Sequence, residues 1–213
     1  MALHTVATLR ELLGSPGSFF EGRLPREGVA GGVVLAVAVA HTVVLLAGFG
    51  LLGVQLAALS ADLSTGEAVG TFLAGAAVPS LRVGVFVFVN WLVVSAVLHV
   101  LVKLRHGAGT FGDTLYVVGW SAPVALLVPV AVVAGLALGL QNAGSAGAVA
   151  RDVGVVRGTV GGLDLLATLV VLCVQGYVWS GGLQRTHDMD YDAALLPVIG
   201  TVVLGVLATL GTA

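Results

Sequence analysis

Charged residues divide this chain into long runs that carry no charge. Between the charged clusters lie mostly apolar runs at 29–61, 83–102, 114–150, 165–184 and 193–213. Each run reaches the roughly 20 residues that a helix needs to cross the hydrocarbon core of a bilayer. The pattern therefore predicts five membrane-spanning helices.

The same runs are continuously apolar and do not alternate as barrel strands do. Backbone groups in lipid must be satisfied within their own segment, which also favours helices. We therefore predict an all-α, polytopic integral membrane protein with five transmembrane helices, within a range of four to six. The apolar segment 68–81 is short for a full crossing. It is interpreted as an interfacial or re-entrant piece that ends near Pro79.

Residues 1–28 are predicted to form a separate N-terminal segment ahead of a membrane domain at 29–213. Residues 3–13 place their leucines on one side, which is an amphipathic pattern. The sequence "GSPGSFF" then breaks the helix and is expected to set Phe19 and Phe20 at the level of the lipid headgroups. We interpret this segment as an interfacial anchor.

The stretch "TFGDTLYVVGWSAP" stands between two apolar runs and carries local structural signals. Thr110 and Asp113 have the spacing of a capping box, so a helix is expected to begin at about Phe111. Pro123 and Pro129 follow inside the same run, where each removes a backbone hydrogen bond. The third span is therefore predicted to be bent.

Composition supports the membrane assignment and excludes one class of partner. Hydrophobic residues make up 58% of the chain and charged residues 9%, where about 25% is usual for a soluble domain. The formal net charge of -2 provides no basic surface, so no nucleic-acid partner is expected. Cys173 is the only cysteine, which excludes an internal disulfide.

The distribution of Lys and Arg predicts the orientation, because cytoplasmic connections normally retain these residues. Six of the nine lie in the N-terminal segment and in two alternate connections: Arg10, Arg23, Arg26, Lys103, Arg105 and Arg185. We expect the N-terminus and these connections inside, the C-terminus outside, and a multi-pass location in the cell membrane.

Three segments together resemble the Yip family, the membrane domain of Ypt/Rab-interacting proteins. They read "SPGSFFEG", "GAGTFGDTLYVVGWSAP" and "WSGGLQRTHDMDYDAALLPVI", and the resemblance extends from about Ser15 onward. The individual positions that carry it are Gly107, Gly109, Phe111, Thr114, Trp120, Ser121 and Pro123.

The resemblance implies a five-helix membrane domain, which in eukaryotic members sits in Golgi and endoplasmic reticulum membranes and is linked to small GTPases. This chain differs from that pattern. It has only residues 1–28 ahead of the first span, and it lacks the acidic-Leu-Tyr-Gly-Pro motif of the long cytosolic arm. These departures argue against GTPase binding.

Four polar side chains are expected inside the spans. His41, Asn90 and Gln175 fall near mid-membrane, and His99 falls closer to the inner end of its span. Such residues either join helices through hydrogen bonds or line a path for a solute. Packing is favoured, because no acidic or basic side chain accompanies them at that depth.

Aromatic residues gather toward the inner half of the third and fourth spans: Tyr116, Trp120, Tyr177 and Trp179. They form either an aromatic belt or, with His99, a groove for a partner or a lipid beside the Pro123 bend. The contact residues expected for such a groove are Thr110, Phe111, Asp113, Trp120, Pro123 and Trp179.

The segment "DMDYD" resembles the beginning of a calcium loop, but Ala193 and Ile199 occupy the places that require glycine and glutamate. It is interpreted as an acidic turn in which Asp192 caps the last helix. No phosphate loop, His-Glu-x-x-His motif or nucleophile elbow is present. We therefore expect no enzyme activity, cofactor or metal.

The sequence favours a non-catalytic scaffold that binds a partner or organises the membrane from its cytoplasmic face. The expected partners are membrane lipid and another membrane or cytoplasmic protein. The alternative is a small-solute carrier or channel with a hydrated path through the helix bundle.

Overall fold

The computed structural model describes residues 2–21, 27–58, 64–143 and 153–212. The regular elements of these residues are helical: α1 (Ala2–Gly14), α2 (Pro16–Phe20), α3 (Glu27–Ala58), α4 (Thr65–Leu104), α5 (Phe111–Ser121), a 3-10 turn (Ala122–Leu126), α6 (Leu127–Ala143), α7 (Val153–Thr186) and α8 (Tyr191–Thr212).

Four helical segments of the described chain are long and apolar enough to cross a bilayer. They are Gly28–Ala58, Thr65–Leu104, Phe111–Asn142 and Thr159–Thr186. A shorter apolar helix follows at Tyr191–Leu207. The predicted class, an all-α polytopic membrane protein, is therefore confirmed, and the fifth predicted span corresponds to the shorter α8.

The segment 68–81 is not a separate element, so the interpretation as an interfacial or re-entrant piece is wrong. It forms the first part of α4, a continuous helix of 40 residues that contains Pro79. A proline removes one backbone hydrogen bond from a helix, but membrane helices tolerate that loss where neighbouring groups compensate. Pro79 and Arg82 both lie at exposed positions of this helix.

The discontinuity predicted at Pro123 is confirmed. α5 ends at Ser121, and the five residues Ala122–Leu126 form a 3-10 turn before α6 begins. The amide of Ala122 donates to the carbonyl of Gly119, the acceptor that the missing N–H of Pro123 leaves free. Pro129 falls in the first turn of α6, where an amide is not needed for the helix.

Two predicted boundaries change near the last helices. α7 begins at Val153, so Asp164 lies inside it and does not precede it. The predicted polar connection at 141–157 is thereby shortened, and residues 144–152 of it lie outside the described residues. Asp192 does not cap α8 but lies in its first turn, where a negative charge still favours the helix dipole.

The chain forms two compact units. Unit 1 contains residues 1–36, 88–125 and 170–213, and unit 2 contains residues 37–87 and 126–169. The core of unit 1 includes the fully buried side chains of Leu98, Val117 and Val178. The core of unit 2 includes Leu45 and Leu52, which expose less than a tenth of their surface. The candidate site described below belongs to unit 1.

Candidate functional site

Two helices of unit 1, α4 and α7, end with the same C-terminal motif. α4 and α7 are each followed by a residue in the left-handed region, His106 with φ 63° and Asp188 with φ 50°. The amide of Gly107 reaches back to the carbonyl of Val102 over 3.1 Å, and that of Met189 to Gln184 over 3.1 Å. These are the long-range bonds of a Schellman motif, which closes a helix C-terminus.

The connections that follow these two helices are joined to each other. The amide of Ala108 donates to the carbonyl of His187 at 2.9 Å. The ammonium of Lys103 donates to the carbonyls of Gly107 and Ala108 at 3.0 and 3.4 Å. We call residues 105–110 and 187–190, held in this way, the paired loops.

Gly107 and Gly109 permit this close approach. A Cβ at residue 107 would lie 2.9 Å from the sulfur of Met189, and one at residue 109 would lie 2.6 Å from the carbonyl oxygen of Thr186. Residue 109 therefore requires glycine, because the carbonyl it would meet belongs to the backbone, whereas a Cβ at residue 107 would displace neighbouring side chains. The second glycine of the Gly-x-Gly spacing before α5 is thus a packing requirement of the paired loops.

The side chain of His187, the first residue of the second loop, is completely buried. Its Nε2 is 3.0 Å from the hydroxyl of the buried Thr114, and Nδ1 of His99 is 3.2 Å from the same hydroxyl. Phe111 packs edge-on against His99, with 5.5 Å between ring centroids. Residues from α4, α5 and the end of α7 thus meet at one hydroxyl group.

Burial lowers the pKa of His187 to about 4. The carboxylate of Asp113 opposes this lowering of the pKa, and the positive charge of Lys103 adds to it. The imidazole is therefore neutral at neutral pH. Its Nδ1 has no hydrogen-bond partner among the described residues.

The predicted capping box at the beginning of α5 is confirmed. The Thr110 amide and hydroxyl both donate to the carboxylate of Asp113, at 2.6 and 2.8 Å. The amide of Asp113 donates to the Thr110 hydroxyl at 3.3 Å. The capping box fixes this helix N-terminus, and because Thr110 and Phe111 are exposed it is also accessible.

Phe19 and Phe20 are not exposed to headgroups as expected, because both are buried within unit 1. Phe19 packs edge-on against Trp120 with centroids 5.3 Å apart, and Phe20 packs against Tyr116 at 5.7 Å. These two rings therefore contribute to the packing of unit 1, and the interfacial position of the segment stays a prediction. Burial against other rings removes more apolar surface from water than an interfacial position does.

Two consecutive glycines of α7 pack directly against the N-terminal segment. A Cβ at Gly181 would lie 2.9 Å from the amide nitrogen of Gly17, and one at Gly182 would lie 2.9 Å from the ring of Phe20. The segments "SPGSFF" and "WSGGL", far apart in the sequence, are therefore complementary surfaces. The ion pair between Arg185 and Glu21 is 3.8 Å long and exposed, so it contributes little to stability.

Trp179 has a structural role beside the helix break. It is 2% exposed, and its indole N–H donates to the hydroxyl of Ser121 at 2.8 Å. Gln175 donates to the carbonyl of Ser121 at 3.4 Å. These bonds hold the end of α5 where Pro123 interrupts the helix, so Trp179 is not accessible to a partner in this conformation.

The four polar residues expected inside the spans have different surroundings. His99 and Gln175 make the bonds described above, which is the packing role that the sequence favoured. His41 is 4% exposed within unit 2. Asn90, in contrast, occupies an exposed position of α4.

The sequence interpretation missed several residues that hold unit 1 together. His187 and Trp91 were not among the predicted site residues, although the indole of Trp91 donates to the carbonyl of Leu115 at 3.0 Å. Gly181 and Gly182 carried no separate signal among 31 glycines.

The exposed surface around the paired loops combines apolar and charged side chains. Leu104, Phe111 and Tyr191 are 70%, 40% and 46% exposed. One loop side is basic and the other acidic, and all of the following are exposed: Lys103, Arg105, His106, Asp188, Asp190 and Asp192. No group of three or more metal-ligating side chains is arranged to hold a metal ion in the part of the chain that the structure describes.

A family model described as the Yip1 domain matches residues 10–212. No curated protein and no solved structure matches the chain.

Proposed function

The chain belongs to the Yip1 domain family of membrane proteins, and we propose that it is a non-catalytic scaffold that binds a partner protein through the paired loops. The family is not enzymatic. The surface for the partner consists of Thr110, Phe111 and Tyr191 together with the charged side chains of the two loops. The carrier alternative gains no support from unit 1, where Gln175 is bonded to Ser121.

The observation that carries this proposal is the fixed geometry of an exposed surface. The paired loops are joined by the bond from Ala108 to His187, and the capping box fixes the adjacent end of α5. A surface that is already ordered loses little conformational entropy when it binds. The hydrogen bonds and close glycine contacts of the paired loops therefore favour a role in binding over a purely structural role.

The charges favour a protein over a lipid surface as the partner. Lys103, Arg105 and His106 attract anionic headgroups. Asp188 and Asp190 on the adjoining loop, with Asp192 in the first turn of α8, repel them. Neighbouring patches of opposite sign suit a partner with the complementary arrangement, which determines specificity and association rate. We place the paired loops in the cytoplasm of the cell, because Arg105 lies in them and Lys103 and Arg185 lie at the adjoining helix ends.

Site-specific photo-crosslinking in intact cells tests this proposal. A benzophenone side chain would replace Phe111 or Tyr191 in turn, and the same group at Leu204 serves as the control, because Leu204 is 57% exposed on the apolar part of α8. We expect one discrete protein adduct from both loop positions and none from Leu204.

Neutralising the acidic loop, with Asp188 and Asp190 both changed to Asn, should reduce the yield of that adduct by several-fold. Adducts of equal yield from all three positions, or no protein adduct from Phe111 and Tyr191, would contradict the proposal.

A further inference from the structure

One polar side chain interrupts an otherwise apolar exposed surface of α4. Within the part of α4 that belongs to unit 1, Asn90 is exposed and is followed at helical spacing by Val93, Val97 and Val100. Val93 and Val100 are 54% and 58% exposed. We call these four residues the Asn90 face.

Asn90 differs from the other polar side chains in the unit 1 part of α4, which are all hydrogen-bonded to described residues. Trp91 donates to Leu115, and Ser95 donates to the carbonyl of Trp91. The Asn90 amide, with two donor hydrogens and one acceptor oxygen, makes no hydrogen bond to any described residue. The hydrogen-bonding groups of this amide are therefore not satisfied by the described residues.

Water does not replace the missing partner at this depth. Asn90 is about 20 Å along the helix axis from Lys103, at a rise of 1.5 Å per residue. The intervening residues of the Asn90 face are valines. An unpaired amide in hydrocarbon is costly, whereas exposed valines there are satisfied by lipid. It is therefore the Asn90 amide, and not the apolar surface around it, that requires a hydrogen-bond partner from another protein.

We propose that the Asn90 face packs against the same face of a second copy of this chain, as a two-fold symmetric dimer. An asparagine amide is self-complementary, because each copy supplies the donor and the acceptor that the other lacks. A two-fold axis beside Asn90 satisfies both amides with one repeated contact. Asparagine side chains are known to join membrane helices in this way. This proposal is independent of the function of the paired loops.

Disulfide crosslinking in membranes tests the dimer. In a Cys173→Ser background, single cysteines would replace Val93, Val97 or Leu92, and a membrane-permeant oxidant would be added. Val93 and Val97 lie on the Asn90 face, whereas Leu92 is 40% exposed on another side of the same helix. We expect dimers from the Val93 and Val97 positions and at least about fivefold less from Leu92.

Adding Asn90→Leu to the Val93→Cys protein should lower the rate of dimer formation at least about fivefold, since the amide pair is lost. Asn90→Gln retains an amide and should restore most of the rate. Unchanged dimer formation with Asn90→Leu, or equal rates from Leu92 and Val93, would overturn the proposal, as would a crosslink only to a protein of different mass. Asn90→Leu places an apolar side chain on a lipid-facing position, so the unfolding midpoint in detergent serves as the folding control.

Discussion

Both units of this protein have close helix contacts at glycines, but they differ in the number of directional bonds that cross between helices. In unit 1 directional bonds cross between helices: Trp91 to Leu115, Trp179 to Ser121, and Thr114 to His187. In unit 2 the closest approaches occur at glycines. A Cβ at Gly53 would lie 2.7 Å from Cα of Val69, and one at Gly135 would lie 2.9 Å from Cα of Val160.

Unit 2 does contain one polar contact between helices, since the hydroxyl of Thr42 donates to the carbonyl of Ser80 at 3.3 Å. That hydroxyl also bonds the carbonyl of Ala38, within its own helix, at 3.1 Å. A Cβ at Gly84 would lie 3.2 Å from that carbonyl, so even this contact depends on a glycine.

The difference indicates how precisely the helix arrangement is fixed in each unit. Contact of backbones at small residues is a general way to pack helices in lipid, where no hydrophobic effect drives them together. Directional bonds, in contrast, fix one arrangement of the elements they join. Unit 1 therefore specifies a particular geometry for the paired loops, while unit 2 requires only close packing.

The largest expected effect concerns unit 2. Gly53→Ala places a Cβ against the backbone of α4, and the helices must separate locally. We expect the free energy of unfolding, measured by detergent titration in mixed micelles, to fall by about 2 kcal/mol. Gly70→Ala is the matched control, because a Cβ there meets no atom within 4 Å. It should be neutral or stabilising by up to about 1 kcal/mol, and a similar loss in both variants would contradict the packing account.

The second effect concerns pH and belongs to unit 1. The pKa of His187 falls from 6.5 when unfolded to about 4 when folded. Between these values the unfolded state binds a proton that the folded state does not, so stability is lost as pH falls through this window. From pH 7 to pH 5 the loss is about 2 kcal/mol.

The same titration in mixed micelles, at pH 7 and pH 5, measures this loss. His187→Gln retains a polar group beside Thr114 but does not titrate. The variant should therefore lose clearly less stability over this interval than the wild-type protein. An identical pH dependence would show that His187 is not the group responsible.

The smallest effect concerns the helix break. Trp179→Phe keeps a buried ring but removes the indole N–H that donates to Ser121, and we expect a loss of about 1 kcal/mol. Combining it with Ser121→Ala should cost less than the sum of the two single changes, because both remove the same bond. Full additivity in the unfolding titration would mean that this bond contributes nothing.

Features that depend on neighbouring residues in the sequence were predictable. Thr110 and Asp113 are three positions apart, so their capping box is visible without a structure. The break at Pro123 likewise follows from the chemistry of one residue. Pro79 shows the limit of such reasoning, because it lies in the interior of the continuous helix α4.

Features that depend on distant residues were not predictable. Thr114 and His187 are 73 positions apart, and nothing in either segment indicates the other. Phe19 and Phe20 carry the pattern of an interfacial anchor, and only the structure shows that they are buried against Tyr116 and Trp120. In a chain with 31 glycines, only the position of a neighbouring helix distinguishes a required glycine from a tolerated one. Gly135 has such a neighbour, whereas Gly162 faces open space.

The most direct test of the central claim compares one glycine from each unit by the photo-crosslinking yield at residue 111, normalised to folded protein. Gly109→Ala disturbs the paired loops at His187, and Gly53→Ala disturbs only the packing of unit 2. If unit 1 presents a preformed binding surface, Gly109→Ala will abolish most of the protein adduct and Gly53→Ala will leave it near the wild-type level. An adduct that survives Gly109→Ala, or that is lost equally in both variants, would contradict the claim.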